Sequence, residues 1–113
     1  MPRQSLDLMQ GTVDVLILRA LAWDAMHGYG IARLLAAQTN GAIKLESAAL
    51  YQALHRLEKK KLVRAWWGLS ETNRKAKFYE LTAAGQRALR EQSDTLRAYV
   101  GALLSVLDST AAK

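Results

Sequence analysis

Residues 46–61, ESAALYQALHRLEKKK, constrain the fold most, because their apolar and polar positions follow a helical period. A helix places Leu50, Leu54 and Leu57 on one narrow stripe. The opposite side then carries a methyl group, an amide, an imidazole and an ammonium, from Ala48, Gln52, His55 and Lys59. These groups suit base edges and the phosphates beside them, although an ordinary solvated helix face shows the same pattern.

The net charge of +6 is concentrated on and just after this helix. Between Arg56 and Lys77 there are eight basic residues and two acidic ones, whereas the rest of the chain has eight of each. Such a patch raises the affinity for phosphate backbones, with a steep dependence on salt. An anionic membrane surface is a poorer match, because no large apolar face accompanies the charges.

The composition predicts one soluble domain. A chain of 113 residues fits a single domain with a modest core, and 50% hydrophobic residues argue against wholesale disorder. No apolar run approaches the roughly 20 residues that cross a bilayer, and the N-terminus lacks the order of a signal peptide. The absence of cysteine excludes disulfides and thiolate metal sites. We expect a cytoplasmic protein.

Two helices are predicted before the central one. The first runs from about Leu6 to Trp23, with Asp14 and Arg19 off its apolar face. Since Gly11 weakens a helix by about 1 kcal/mol, the regular part is expected from Thr12. The residues before it then form an apolar arm that needs a partner, plausibly another subunit; they are Leu6, Leu8 and Met9.

The second helix is predicted over residues 29–39, after a turn at residues 24–28. Asn40 and Gly41 form a good C-terminal stop. Gly28 and Gly30 flank Tyr29 and indicate a close backbone approach there. With the central helix these segments make a three-helix unit whose third helix lies across the second.

After Lys61 the period becomes alternating, which predicts a β-hairpin. Two strands are joined by the polar loop of residues 68–76, whose tip carries Asn73, Arg74 and Lys75. These residues could lie along a nucleic-acid backbone, or the loop could be an ordinary solvated turn. Trp67 shares a strand face with Val63 and is predicted in the core, which leaves Trp66 exposed.

Thr82 is the predicted N-cap of a last helix, Ala83–Leu107. Leu89, Leu96 and Leu103 recur every seven residues, which favours pairing with another copy of the chain. Packing on the first helix is the alternative, and we expect both. Polar residues at 92 and 93 interrupt this seam, so the contact between copies should start at Leu96.

The residues match a known family over nearly the whole chain. The matching segments are GTVDVLILRAL (11–21), HGYGIARLL (27–35), ESAALYQALHRLEKKKLV (46–63), WWG (66–68) and NRKAKFYELTAAG (73–85). In combination they are specific, and they resemble the PadR family of bacterial transcriptional regulators, in its short branch with a single C-terminal helix. The resemblance implies a winged helix-turn-helix dimer that represses a nearby promoter and is released by a small molecule or a stress signal.

By position, the family's recognition helix corresponds to residues 47–60, its wing to residues 69–77 and its dimer helix to Ala83–Leu107. The expected fold is mainly α with a small β-hairpin. Residues 1–82 would form the winged helix-turn-helix domain, and residues 83–113 the dimerisation helix, which packs with the first helix as one unit. Many relatives have glycine at the position of Lys61. Lysine in the same left-handed conformation costs about 1 kcal/mol, so we expect this helix end to be rearranged.

These considerations give three sets of candidate residues. The predicted DNA contacts are Ser47, Ala48, Tyr51, Gln52, His55, Arg56, Lys59, Asn73, Arg74, Lys75 and Lys77. The predicted dimer interface comprises Leu6, Met9, Leu96, Tyr99, Val100, Leu103, Val106 and Leu107. The resemblance also suggests a pocket for a small aromatic effector, with Trp23, Leu16 and Tyr99, although Trp23 could simply belong to the core.

Tyr51 leaves two alternatives open, and one function class has no support. The Tyr51 hydroxyl could reach a phosphate, or its ring could pack on the wing. His27 and His55 lie on different elements with no acidic cluster, so we expect no metal, no cofactor and no catalysis. The sequence therefore predicts a homodimeric transcriptional repressor that binds double-stranded DNA. A winged-helix interaction module that does not bind DNA is the alternative.

Overall fold

The computed structural model describes residues 10–110, which form four helices and three short strands. They are α1 Gln10–Trp23, β1 Met26–His27, α2 Gly28–Gln38, α3 Ser47–Lys59, β2 Val63–Leu69, β3 Lys75–Leu81 and α4 Ala83–Leu107. The predicted class, mainly α with a small β-hairpin, is confirmed. Leu6 and Met9, which were predicted at the dimer interface, lie outside the described residues.

The leucine stripe of α3 faces the core as predicted. Leu50, Leu54 and Leu57 are buried, and they pack in one cluster with Ile17 of α1 and Ile31 of α2. Because α1 contacts α2, α3, α4 and β3, it forms the centre of the domain. The apolar side of α3 is thereby fixed, and its opposite side faces outward.

The sheet contains a strand that the sequence did not predict. The strand order in the sheet is β1-β3-β2, and both pairs of neighbouring strands are antiparallel. Met26 pairs with Tyr79 and His27 with Phe78, where a turn was expected. A strand of two residues is too short to show an alternating pattern, which explains why it was missed. The hairpin of β2 and β3 also extends further than predicted, to the pair Leu69 and Lys75, so its loop is confined to residues 70–74.

The two tryptophans of β2 do not follow the predicted division between core and surface. Trp67 is 62% exposed and Trp66 is 39% exposed, so the prediction of a buried Trp67 is wrong. Val63 is buried on the same strand face, whereas Trp67 lies at the rim of the cavity between α3 and the hairpin, which leaves most of its ring uncovered. The predicted exposure of Trp66 is confirmed, and its ring stacks on Phe78, with ring centroids 6.0 Å apart.

Asp14 is buried, contrary to the prediction that it lies off the apolar face of the first helix. Only 7% of the residue is exposed, and its Oδ1 accepts a hydrogen bond of 2.8 Å from Arg56 Nη2. The difference arises because α1 is enclosed by other elements on several sides. A carboxylate in that position needs a partner, and Arg56 of α3 supplies it.

The end of α3 keeps the left-handed geometry, so the expected rearrangement at Lys61 is wrong. Lys61 has φ 63°. Its N–H donates to Glu58 O at 2.9 Å, and the N–H of Leu62 donates to Leu57 O at 2.9 Å. This pair of bonds satisfies two of the last helical carbonyls and fixes the direction of the chain into β2.

Replacing Lys61 by glycine is expected to raise the free energy of unfolding by about 1 kcal/mol, because glycine adopts positive φ without a Cβ clash. Urea denaturation measures the effect. Lys60→Gly is the matched control: Lys60 has φ −79°, and glycine there should destabilise the chain. Equal effects of the two substitutions would contradict the argument from strain.

The last helix begins and ends as predicted. Thr82 Oγ1 accepts a hydrogen bond of 3.0 Å from the Gly85 N–H, which confirms the N-cap, and donates one of 2.7 Å to Lys61 O. The start of α4 is therefore tied directly to the end of α3. Within residues 10–110 no helix combines the length and the apolar character needed to span a membrane.

Candidate nucleic-acid interface

The outer face of α3 is open to solvent. Its exposed side chains come from Ser47, Ala48, Gln52, His55 and Lys59. Because the opposite stripe is held in the core, the helix cannot turn this face inward without unpacking. The face offers hydroxyl, methyl, amide, imidazole and ammonium groups along one helix, as the sequence predicted.

The hairpin lies beside α3 and extends the same surface. Lys77 Nζ of β3 is 3.5 Å from Glu58 Oε1 of α3. A cavity of about 440 Å³ lies between the two elements and is lined in part by His55 and Trp67. At the tip, Asn73, Arg74 and Lys75 are exposed. The cations of the wing, residues 69–77, and the outer face of α3 are thus neighbours.

Tyr51 packs against the start of α2 while keeping much of its ring exposed. A Cβ added to Gly28 would lie 2.6 Å from the Tyr51 hydroxyl oxygen, so the ring lies directly against this glycine. This confirms the close approach predicted at Gly28. Tyr51 is 48% exposed and also lines cavities that border the wing. The hydroxyl end of the ring packs against Gly28 of α2, and its contact with a phosphate stays a prediction.

Arg56 does not share the outer face with the other candidates. Its guanidinium is directed to Asp14 of α1, at 2.8 Å, and its Nε is buried without a hydrogen-bond partner. The sequence pattern placed it on the flank of the leucine stripe but gave no sign of its partner on another helix. Arg56 joins α3 to α1, and we leave it out of the proposed DNA contacts.

His27 links the wing to the helix-turn-helix, which the sequence did not predict. Its Nδ1 accepts a hydrogen bond of 3.0 Å from the Gly30 N–H and caps α2, and its Nε2 lies 3.2 Å from Glu71 Oε1. Since Nδ1 accepts, the proton is on Nε2, which donates to Glu71. Two hydrogen bonds lower the pKa of the Glu71 carboxyl from its usual value: one from the Glu71 backbone and one from the His27 side chain. Glu71 is therefore ionised at neutral pH.

Comparison with known proteins decides the family. Residues 17–91 match the family model described as the transcriptional regulator PadR-like family. The chain belongs to the PadR-like family of transcriptional regulators. It is 33% identical over 85 residues to an uncharacterized protein of Lysinibacillus sphaericus, which covers 75% of this chain and 78% of that relative.

Solved structures of PadR-like and related regulators share the fold. A PadR family transcriptional regulator from Eggerthella lenta is 27% identical, with a TM-score of 0.73 and coverage of 89% of this chain and 86% of that one. A transcriptional regulator from Clostridium thermocellum is 25% identical, with a TM-score of 0.77 and coverage of 88% and 94%. The PadR-like family is one of transcriptional regulators and not an enzyme family. Among residues 10–110 no group of three or more His, Cys, Asp or Glu side chains could hold a metal ion.

The predicted effector pocket of this PadR-like chain is not assembled from the predicted residues. Tyr99 lines a cavity of about 610 Å³ between α4 and the start of α1, together with Val15 and Leu96. Trp23 lines a different cavity of about 60 Å³, beside Leu34 of α2. Gly11 and Thr12 border the Tyr99 cavity and lie near the start of α1, whereas Trp23 is its last residue. At 1.5 Å per helical residue, Trp23 is therefore roughly 17 Å along the helix from that cavity.

The far half of α4 carries an exposed apolar face in the PadR-like chain. Its residues are Tyr99, Val100, Leu103, Leu104, Val106 and Leu107, whereas Leu96 is partly buried. An exposed apolar surface of this extent on one helix is typical of an interface. It coincides with the part of the helix that the heptad spacing predicted for dimerisation.

Proposed function

We propose that this chain is a homodimeric, cytoplasmic repressor that binds double-stranded DNA at a specific operator. In each subunit α3 enters a major groove, and the wing lies along the flanking backbone. The observation that carries the proposal is the placement of the uncovered outer face of α3 beside the exposed cations of the wing. Membership of a family of transcriptional regulators supports it.

Base reading is assigned to the outer face of α3, and backbone binding to the wing. The amide of Gln52 can donate to and accept from adenine, and the methyl group of Ala48 can contact a thymine methyl. Arg74 and Lys75 bind phosphates, which position the protein without reading sequence. His55, Lys59 and the Tyr51 hydroxyl supply further contacts along the same surface.

Dimerisation through α4 sets the form of the operator. We propose that the exposed apolar face, from Tyr99 to Leu107, packs against the same face of a second copy, with the partly buried Leu96 at its edge. Two-fold symmetry then requires a pseudo-palindromic site with half-sites about one helical turn, roughly 10 bp, apart. The two recognition helices would lie in successive major grooves on one side of the duplex.

We place a small aromatic effector in the cavity between α1 and α4. This cavity takes the place of the pocket that the sequence analysis suggested around Trp23. The volume of about 610 Å³ lies within the range of small-molecule sites. Tyr99, Val15 and Leu96 supply ring and aliphatic surface there. A ligand wedged between these helices would change the angle of α4 and therefore the spacing of the two recognition helices.

The test is selection of bound sequences from a random duplex library, repeated in the presence of aromatic compounds. The proposal expects enrichment of one pseudo-palindromic sequence, and loss of that enrichment with at least one compound. A winged-helix interaction module would give neither enrichment nor salt-dependent binding to any duplex.

Replacing Gln52 by alanine is expected to relax the preference at one base position of each half-site. A bidentate contact to adenine contributes about 1–3 kcal/mol of discrimination, or roughly 5- to 150-fold. Competition between the selected operator and duplexes with single base changes measures it. Gln86→Ala, on the exposed surface of α4, is the matched control and should leave every preference unchanged. Unaltered discrimination in the Gln52 variant would show that Gln52 does not read a base.

A further inference from the structure

A second cavity, of about 290 Å³, separates the wing from α2. Three cationic side chains line it: Arg33 from α2, Arg74 from the wing tip and Lys77 from β3. Lys77 Nζ already lies 3.5 Å from Glu58 Oε1 of α3, so Arg33 and Arg74 carry the cationic character of the cavity. Two arginines against the single carboxylate of Glu71 leave the lining with a surplus of positive charge, which favours an anion.

The remaining lining supplies hydroxyl groups suited to an oxyanion. Tyr29 and Tyr51 border the cavity from α2 and α3, and Ser70 and Thr72 border it from the wing. The Arg33 guanidinium lies 5.6 Å from the centre of the Tyr29 ring, which holds it over the aromatic face. Arginine and hydroxyl donors together are the usual protein contacts of a phosphate group.

The cavity already contains one negative group, the carboxylate of Glu71. It is the only acidic residue among those that line this cavity within the described part of the chain. Its hydrogen bond with His27 Nε2, at 3.2 Å, keeps it on the α2 side of the wing. The charge of Arg33 adds to the effects that keep the pKa of this carboxyl below its usual value. An incoming anion therefore meets an ionised carboxylate.

We propose that this cavity binds a phosphate group of the DNA backbone through Arg33 and Arg74, and that Glu71 is a resident anion which opposes that binding. The inference rests on the proposed function and extends the DNA contact from α3 and the wing to α2. The first helix of a helix-turn-helix crosses the DNA backbone, so α2 is in a suitable position. Glu71 would thereby limit the affinity for DNA of any sequence.

The test measures binding of a labelled duplex of random sequence by fluorescence anisotropy, over a series of salt concentrations. Arg33→Gln is expected to lower the affinity about tenfold and to reduce the slope against salt by about 0.9 per subunit. Glu71→Gln is expected to raise the affinity about threefold, since it keeps a hydrogen-bond acceptor for His27 and removes the charge. Arg87→Gln and Asp94→Asn, which remove the same charges from the exposed surface of α4, are the matched controls.

The double variant Arg33→Gln/Glu71→Gln separates a local effect from one of net charge. If both side chains act on the same phosphate, the gain from Glu71→Gln shrinks when Arg33 is absent. Effects of independent charges would simply add, which would overturn the proposal. Both residues are exposed, so the substitutions should leave the fold intact. Thermal unfolding of each variant checks this.

The outcomes distinguish this inference from the proposed function. If the wild-type chain binds duplexes but Arg33→Gln and Glu71→Gln match their controls, the cavity assignment is overturned and the DNA-binding function stands. If the wild-type chain binds no duplex, both are overturned.

A second experiment tests for a free phosphorylated ligand. Inorganic phosphate replaces chloride at constant ionic strength, and NMR follows the chemical shifts of the Gly30 and Glu71 amides. Saturable shifts at millimolar phosphate, with DNA affinity indifferent to Arg33, would assign the cavity to a free phosphorylated ligand and overturn its assignment to DNA.

Discussion

Replacement of Gly85 by alanine is expected to lower the free energy of unfolding by about 3 kcal/mol. A Cβ at this position would overlap the backbone carbonyl oxygen of Leu62 and crowd a methyl carbon of Leu81. The Leu62 carbonyl cannot easily move, because it accepts a hydrogen bond of 3.1 Å from the Thr82 N–H. Relief of the overlap therefore requires the start of α4 to shift away from the end of α3. Urea denaturation followed by circular dichroism measures the loss.

Gly101 provides the matched control for this substitution. It lies on the same helix, and no described atom comes within 4 Å of a Cβ built there. Gly101→Ala is expected to leave stability unchanged or raise it by up to about 1 kcal/mol, through helix propensity alone. If Gly85→Ala proved as stable as Gly101→Ala, the tight junction between α3 and α4 would be refuted.

Removal of both charges at the wing tip, in Arg74→Gln/Lys75→Gln, is expected to lower the affinity for every duplex by about 100-fold at moderate salt. Both side chains are exposed, and Lys75 Nζ lies 5.3 Å from the centre of the Trp67 ring, on the hairpin beside α3. A dimer would lose up to four phosphate contacts, which would flatten the dependence on salt by about 3.6. Titration of selected and scrambled duplexes over a series of salt concentrations measures both quantities.

Arg87→Gln/Arg90→Gln removes the same charge from the exposed surface of α4 and is the control for the wing variant. It should lower the affinity by no more than a few-fold, since these residues lie outside the proposed interface. A loss confined to the selected sequence would mean that the wing reads bases. Equal losses in the two double variants would mean that only the net charge matters.

The features that sequence could predict are local ones. The burial of Leu50, Leu54 and Leu57 follows from their spacing alone, and the exposure of Gln52 and His55 follows from the same period. The cap at Thr82 likewise depends on residues within one helical turn. Where the determining interaction lies between neighbours along the chain, the pattern of residue types contains it.

The features that sequence reasoning missed depend on contacts between distant segments. Asp14 is buried because α1 is enclosed by other elements, and Arg56, 42 residues away in the sequence, pairs with its carboxylate. Trp67 is exposed because it lies at the open cavity between α3 and the hairpin, which the alternation of residues along β2 cannot reveal. The sequence does contain one unused signal: His27 stands directly before the G-Y-G segment, where a side-chain acceptor caps a helix.

The candidate site divides in the same way. The outer face of α3 was predictable, but the cavity between the wing and α2 was not, because Arg33 and Arg74 come from segments 41 residues apart. The residues predicted for the effector pocket are divided between two cavities for a related reason. Trp23 and Tyr99 are both aromatic residues on helices that pack together, but they face different cavities.

Site-directed photocrosslinking tests the placement of α3 in the major groove most directly. The chain has no cysteine, so a single introduced cysteine can carry a thiol-linked photoreactive group at one known position. From Gln52→Cys we predict crosslinks to bases at one position in each half-site of the selected operator, and from the control Arg87→Cys we predict none. Crosslinks to DNA from position 87, with none from position 52, would contradict the proposal that α3 reads the operator.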